Sequence, residues 1–194
     1  MKQLASIIIP FLLLSACQSA NKPNDSADST TIQLTEKSEL KSVANEELTA
    51  FLTTLPEIAL PFTDSTNFEN FNKNEGHVNL EVLKLLKFKP EYPNPEQIRF
   101  RYQVKFDQGL TGLVLTFPNS ESDLKTVLLT LDENNQRLDV IEIAYDEVIE
   151  SAFKLISVLD KNKISSEHWN YFFEKPTVDK KIFILDNNLR FVQQ

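Results

Sequence analysis

The chain has 194 residues, with 28 Asp and Glu against 20 Lys and Arg, a formal net charge of −8 and a single cysteine. That balance argues against nucleic acid as a partner, because binding there relies on neutralising phosphate, and against general adhesion to anionic lipid. One cysteine leaves no internal disulfide.

The first sixteen residues carry the three zones of a secretion signal. Lys2 supplies the positive end. Ile7, Ile8, Ile9, Phe11, Leu12, Leu13 and Leu14 form an apolar core broken only by Pro10, and small residues follow at Ser15 and Ala16. The run is too short for a permanent bilayer span, which needs about 20 apolar residues. Leu14-Ser15-Ala16-Cys17 resembles the lipobox of bacterial lipoproteins in order, in distance from the start and in what precedes it. The resemblance covers only about the first seventeen residues. It implies cleavage before Cys17, diacylglycerol on its thiol and acylation of the new amino terminus. Several chains, each contributing about 0.8 kcal/mol per buried methylene, make a stable anchor. The membrane is thus an expected partner through lipid on Cys17. Gln18, where the family often has aspartate for inner-membrane retention, favours the outer membrane.

From Gln18 to Thr31 the chain is polar, free of aromatics and nearly free of large apolar residues, and the same reading is extended to about residue 43. Such a segment cannot bury enough surface to order itself. It reads as a flexible tether of roughly 30 Å mean reach by random-coil scaling. The expected organisation is a signal peptide at 1–16, a lipidated Cys17 and tether at 17–43, and one globular domain at 44–194. The domain has about 150 residues, enough for a single core.

At the start of the domain Asn45 is placed to cap a short helix, with Glu46 and Glu47 at its positive end. Leu48, Phe51, Leu52 and Leu55 then share one face, and Pro56 stops it. Residues 56–76 read as a loop pinned by Phe62, Phe68 and Phe71. Asn79 is placed to cap a second helix carrying Leu80, Leu83 and Leu86, with an extended reading also open. Pro90, Pro93 and Pro95 close this part.

From Gln97 the period changes to two. Ile98, Phe100, Tyr102, Val104 and Phe106 alternate with Arg99, Arg101, Gln103 and Lys105, the clearest strand in the chain. Further strands are expected over 113–117, 126–131, 138–145, 153–159, 167–173, 181–185 and 189–192, with turns at Asp107-Gln108-Gly109, Pro118-Asn119-Ser120, Asp132 to Asn135 and Asp186-Asn187-Asn188. Connections this short pair strands antiparallel, since parallel neighbours need crossovers of about a dozen residues. Residues 127–145 are apolar on both pleat faces in places, so both faces must be partly covered. The N-terminal helices or a second layer of sheet would do this. The expected class is α+β, mostly antiparallel: a meander of about seven or eight strands with one or two short N-terminal helices, with folding into a two-layer sandwich left open.

Catalytic signatures are scarce. The two histidines, His77 and His168, stand far apart with no ligand motif around either, so no metal site and no cofactor are expected. A nucleophile elbow is absent, and Ser165, Ser166 and His168 on one strand do not make a triad. With Gly76, Gly109 and Gly112 the only glycines, no phosphate-cradling loop can be built. Acidic pairs such as Asp139 with Glu142, or Asp146 with Glu147 and Glu150, read first as solvated surface.

Two features remain. Arg99, Arg101 and Lys105 form a stripe suited to an anion, with a solvated, aggregation-resisting face as the simpler reading. The run His168-Trp169-Asn170-Tyr171-Phe172-Phe173 offers Trp169, Tyr171 and His168 as a contact surface for a glycan or an envelope protein. In strand geometry Trp169, Tyr171 and Phe173 share one face, and the simpler reading makes that face core. The leading expectation is a non-enzymatic binding or interaction module of the cell envelope. An envelope hydrolase using paired carboxylates and a protein inhibitor or immunity-type module are the alternatives.

Overall fold

A computed structural model describes residues 43, 45–90, 94–147 and 152–194. The signal, Cys17, nearly all of the tether, Pro93 and Glu150 lie outside the described residues. Among those described, ten strands form one hydrogen-bonded sheet, more than the seven or eight expected, and two short helices precede its main part. The class is α+β and mostly antiparallel.

Helix α1 covers residues 45–52. Asn45 sits inside it rather than at its cap, and its side-chain carbonyl accepts from Asn135 Nδ2 at 2.6 Å. Leu48, Leu52 and Leu55 are buried as the spacing requires. Helix α2 (Leu80–Leu85) begins as expected, with Asn79 accepting from Val82 N at 3.0 Å. Its buried residues are Val82 and Leu83, while Leu80 is exposed. It ends in a Schellman motif: Phe88 N–H donates to Leu83 O, Lys87 N–H donates to Lys84 O, and Lys87 takes a φ of 51°.

The stretch 56–76 is not all loop. It contains β1 (Glu57–Ile58) and β2 (Phe62–Asp64). The remaining strands are β3 (Arg99–Lys105), β4 (Thr111–Pro118), β5 (Asp123–Leu131), β6 (Arg137–Glu147), β7 (Phe153–Asp160), β8 (Lys163–Asn170), β9 (Thr177–Leu185) and β10 (Phe191–Gln193). From β3 to β10 each strand pairs antiparallel with the next. β1 is the exception: it runs parallel to β3, with β2 and α2 in the crossover between them.

β4 and β5 are buried almost throughout, on both faces. One face carries Leu113, Leu115, Phe117, Val127, Leu129 and Leu131, packed against Leu48, Leu52, Val82, Leu83 and Leu86 from the helical part. The other carries Val114 and Leu128, packed against Leu159, Ile164, Leu185 and Phe191 from the C-terminal strands. Both covers left open by the sequence are therefore used, one on each face. Residues 57–64 show how the sheet folds back on itself: their first part pairs with β3 and their last with β7. Asp107 N–H also donates to Lys161 O at 2.8 Å, joining the end of β3 to the β7–β8 turn.

Strand β3 serves both faces because it is bulged. Phe100 opposes Leu115 and Tyr102 opposes Val114, so Arg101 is an extra residue without a partner on β4. The simple alternation read from 98 to 106 breaks there. Phe100 joins the helix-side core, while Tyr102 and Val104 join the other. At the far end of β3, Gly112 lies opposite Val104. A Cβ on it would meet Leu128 Cδ1, Phe106 Cε2 and Val104 Cγ2 at 2.7 Å. Gly112→Ala is expected to lower unfolding free energy by about 1–3 kcal/mol, the usual cost of overpacking, with an unchanged urea m-value.

Candidate functional site

The bulge disperses the basic stripe. Arg99 pairs with Thr116 and Lys105 with Thr111, residues on opposite faces of β4, so the two side chains leave the sheet on opposite sides. Arg99 is spent on the backbone, donating to Lys73 O and Glu96 O at 2.7 Å each. Lys105 Nζ donates to Thr111 Oγ1 at 2.9 Å. Arg101 makes only a long bond, Nη1 to Thr116 Oγ1 at 3.5 Å, and its guanidinium lies 5.5 Å from the Phe71 ring centre. The three cations do not form a common anion site.

Arg101 instead lines a cleft of about 490 Å³. The outer edge of β3 is bridged at Phe100 by His77 and paired from Gln103 onward with β1. Arg101 and Tyr102 lie between those contacts, and the cleft opens there. Its walls include Pro56, Ile58 and Phe62, with Asp64, Thr66, Glu75 and His77 supplying polar groups. Gly76 makes the bridge to β3 feasible: it has a φ of 89°, and a Cβ there would lie 2.5 Å from Phe100 O.

The floor of the cleft is a buried polar cluster. Asp64 Oδ2 accepts from the Tyr102 hydroxyl at 2.6 Å, and Oδ1 accepts from Thr66 N–H at 2.9 Å and from Thr66 Oγ1 at 2.6 Å. Asp64 is only 3% exposed, so these donors are what make its burial tolerable. Burial first, then the Asp64 charge and hydrogen bond, drives the Tyr102 hydroxyl far above its ordinary range, so it remains a donor. Of the cleft's polar groups the sequence offered Arg101 as an anion contact, and gave Asp64 and Thr66 no role. An aspartate in a polar loop carries no signal of burial, and the partners lie 38 positions apart in the chain.

The aromatic run at the C-terminal side is also divided. β8 stops at Asn170, so Tyr171, Phe172 and Phe173 belong to the β8–β9 connection and not to a strand face. They are exposed, at 43%, 67% and 59%, which overturns the core reading. Trp169 stacks on Tyr171 with centroids 6.0 Å apart and planes at 17°. On the outward face of the sheet Trp169 lies between Lys154 and Val178, and exposed Val158 and Ile182 continue the same face. His168 points the other way, as successive strand residues must. It lines a separate cavity of about 340 Å³ with Asp139, Glu142, Ser166 and Lys181. Trp169 and Tyr171 therefore form one surface, and His168 is not part of it.

Among the described residues, no three His, Cys, Asp or Glu stand together as a metal site. A scan against protein-family models, a search of the curated proteins and a search of the solved structures each found no match. The chemistry of these surfaces therefore rests on their geometry.

Two predictions follow from these groups. Tyr102→Phe leaves Asp64 buried without one of its donors and is expected to lower stability by about 1.5–3 kcal/mol, the range for hydrogen bonds to charged groups; urea unfolding measures it. His168 is held below its ordinary pKa, mainly by burial and next by the Lys181 charge, against the opposing pull of Asp179 and Glu142. The unfolded chain then binds the proton more readily than the folded one. The His168 contribution is full above the unfolded histidine pKa and is lost as pH falls through the lower folded value. His168→Gln should therefore gain stability relative to the parent as pH is lowered from 8 to about 5, read as a pH-dependent difference between denaturation midpoints.

Proposed function

We propose that the chain is a membrane-anchored lipoprotein of the cell envelope, held by lipid on Cys17 at the outer membrane. Its β domain is a non-enzymatic interaction module, and the tip formed by Trp169, Tyr171, Phe172 and Phe173 is its contact surface. The exposure of three consecutive aromatics at the end of a hairpin carries this reading. Folding does not bury them, and large aromatics supply most of the affinity at protein contacts while losing little conformational freedom. Their neighbour Trp169 is fixed by the sheet, so the tip presents a partly preorganised platform. An inhibitor module that occludes one enzyme would use the same tip.

Support for a hydrolase is weaker. Among the described residues, the carboxylates displaced from their ordinary range are Glu167, lowered by its hydrogen bond to Lys180, and Asp186, lowered by backbone N–H donors. Both are displaced away from the direction a general acid needs.

The test has two parts, both in intact cells. Cys17→Ser should move the protein from the membrane to the soluble fraction; retention at parental levels would refute the anchor. A photo-cross-linking residue at Phe172 should give a discrete protein adduct that Tyr171→Ser with Phe173→Ser abolishes, whereas the same probe at Asn134, on the β5–β6 turn, should give none. Equal labelling at both positions, or none at Phe172, would remove the tip as the contact surface.

A further inference from the structure

The cleft at the β3 bulge lies apart from the aromatic tip in the sheet order and is independent of the proposed contact surface. Its distinctive group is Arg101. Among the described residues this guanidinium joins no ion pair. Its one hydrogen bond is a long one, Nη1 to Thr116 Oγ1 at 3.5 Å. The guanidinium carbon lies over the Phe71 ring, 5.5 Å from its centre. A ring contact of this kind satisfies no N–H group, so apart from Nη1 the in-plane N–H fork has no hydrogen-bond partner among the described residues. That fork is the group that grips a planar anion bidentately.

Bulges recur beside binding sites because they re-aim one side chain. Here the bulge removes Arg101 from the β4 ladder and delivers it to a concavity. The volume, about 490 Å³, falls in the range of small-molecule sites, roughly 300–1,000 Å³. Two further features narrow the ligand. Pro56, Ile58 and Phe62 form an apolar wall, so the ligand has an apolar body. Asp64 and Glu75 line the same cleft, and their negative charge works against a doubly charged group such as phosphate. Asp64 takes its hydrogen bonds from Tyr102 and Thr66, and among the described residues it forms no ion pair with Arg101.

We propose that this cleft binds a small monocarboxylate with an apolar body, its carboxylate on the Arg101 guanidinium and its body against Ile58 and Phe62. The planar, singly charged head suits the fork, and the wall supplies the hydrophobic contribution.

The test uses the detergent-solubilised full chain and amide NMR, with acetate, isovalerate, phenylacetate and indole-3-acetate as probes, the matching neutral amides, and inorganic phosphate. Saturable shifts confined to β1, β2 and residues 75–77 and 99–103 are expected with at least one of the larger acids. Affinity should rise from acetate to the larger bodies. The isosteric amide should bind roughly tenfold or more weakly, the scale of a charge-assisted pair. Arg101→Gln should abolish the preference for acid over amide, and Arg101→Lys should retain part of it. Equal binding of acid and amide, tighter binding of phosphate, or no saturable shift with any acid would each overturn the proposal. The acid–amide contrast on the parent chain decides the matter even if an Arg101 variant folds poorly.

Discussion

Two strands of this domain are apolar on both sides, and the rest of the structure answers to that. β4 is buried at seven of its eight positions, and β5 shows the same pattern along most of its length. A strand buried on both faces needs a cover on each. The helical part, with Leu48, Leu52, Val82, Leu83 and Leu86, supplies one. The C-terminal strands, folded back with Leu159, Ile164, Leu185 and Phe191, supply the other. The short segment 57–64 ties the arrangement together by pairing with β3 and then β7.

The bulge at Arg101 follows from the same demand. β3 must give Phe100 to one core and Tyr102 and Val104 to the other. A regular strand would put all three on one side, so an extra residue is inserted and the faces exchange. The consequence is an arginine with no ladder partner, standing at the one stretch of the β3 edge left between the His77 bridge and β1. The cleft is thus a by-product of core construction, floored by the Asp64–Tyr102–Thr66 cluster that closes the gap with satisfied hydrogen bonds. The burial of Asp64 rests on these three donors.

The aromatic tip stands in a different relation to the core. Nothing in the packing requires Phe172 or Phe173, which touch each other edge to face and remain open to solvent. The proposed contact surface rests on this exposed apolar area, which the core does not use. Trp169 connects that tip to the outward sheet face, where Glu167 and Lys180 pair at 2.7 Å between the exposed apolar side chains. A mostly apolar face punctuated by an ion pair is compatible with a protein partner and unfavourable for sheet-to-sheet aggregation.

The sequence by itself determined the elements that local periodicity and turn chemistry control. The antiparallel order, the Asn79 cap, the hairpin turns at Asp132–Asn135 and Asp186–Asn188 and the two-faced burial of 127–131 were legible, because each depends on residues a few positions apart, whereas the expected extension of that burial to 145 fails at β6, where Val140 is exposed. The resemblance of Leu14 to Cys17 to a lipobox is read at the same local level. Tertiary structure alone decided the rest. The bulge is invisible in the alternation from Ile98 to Phe106, since both registers place apolar groups in some core and only the presence of two cores selects one. β1 and β2 are too short to show a period, and they exist because β3 and β7 offer edges. The grouping of Arg101 with Asp64, and the separation of His168 from Trp169, come from how the sheet folds back and where β8 ends. Contacts across tens of residues are set by packing, and single-residue spacing carries no record of them.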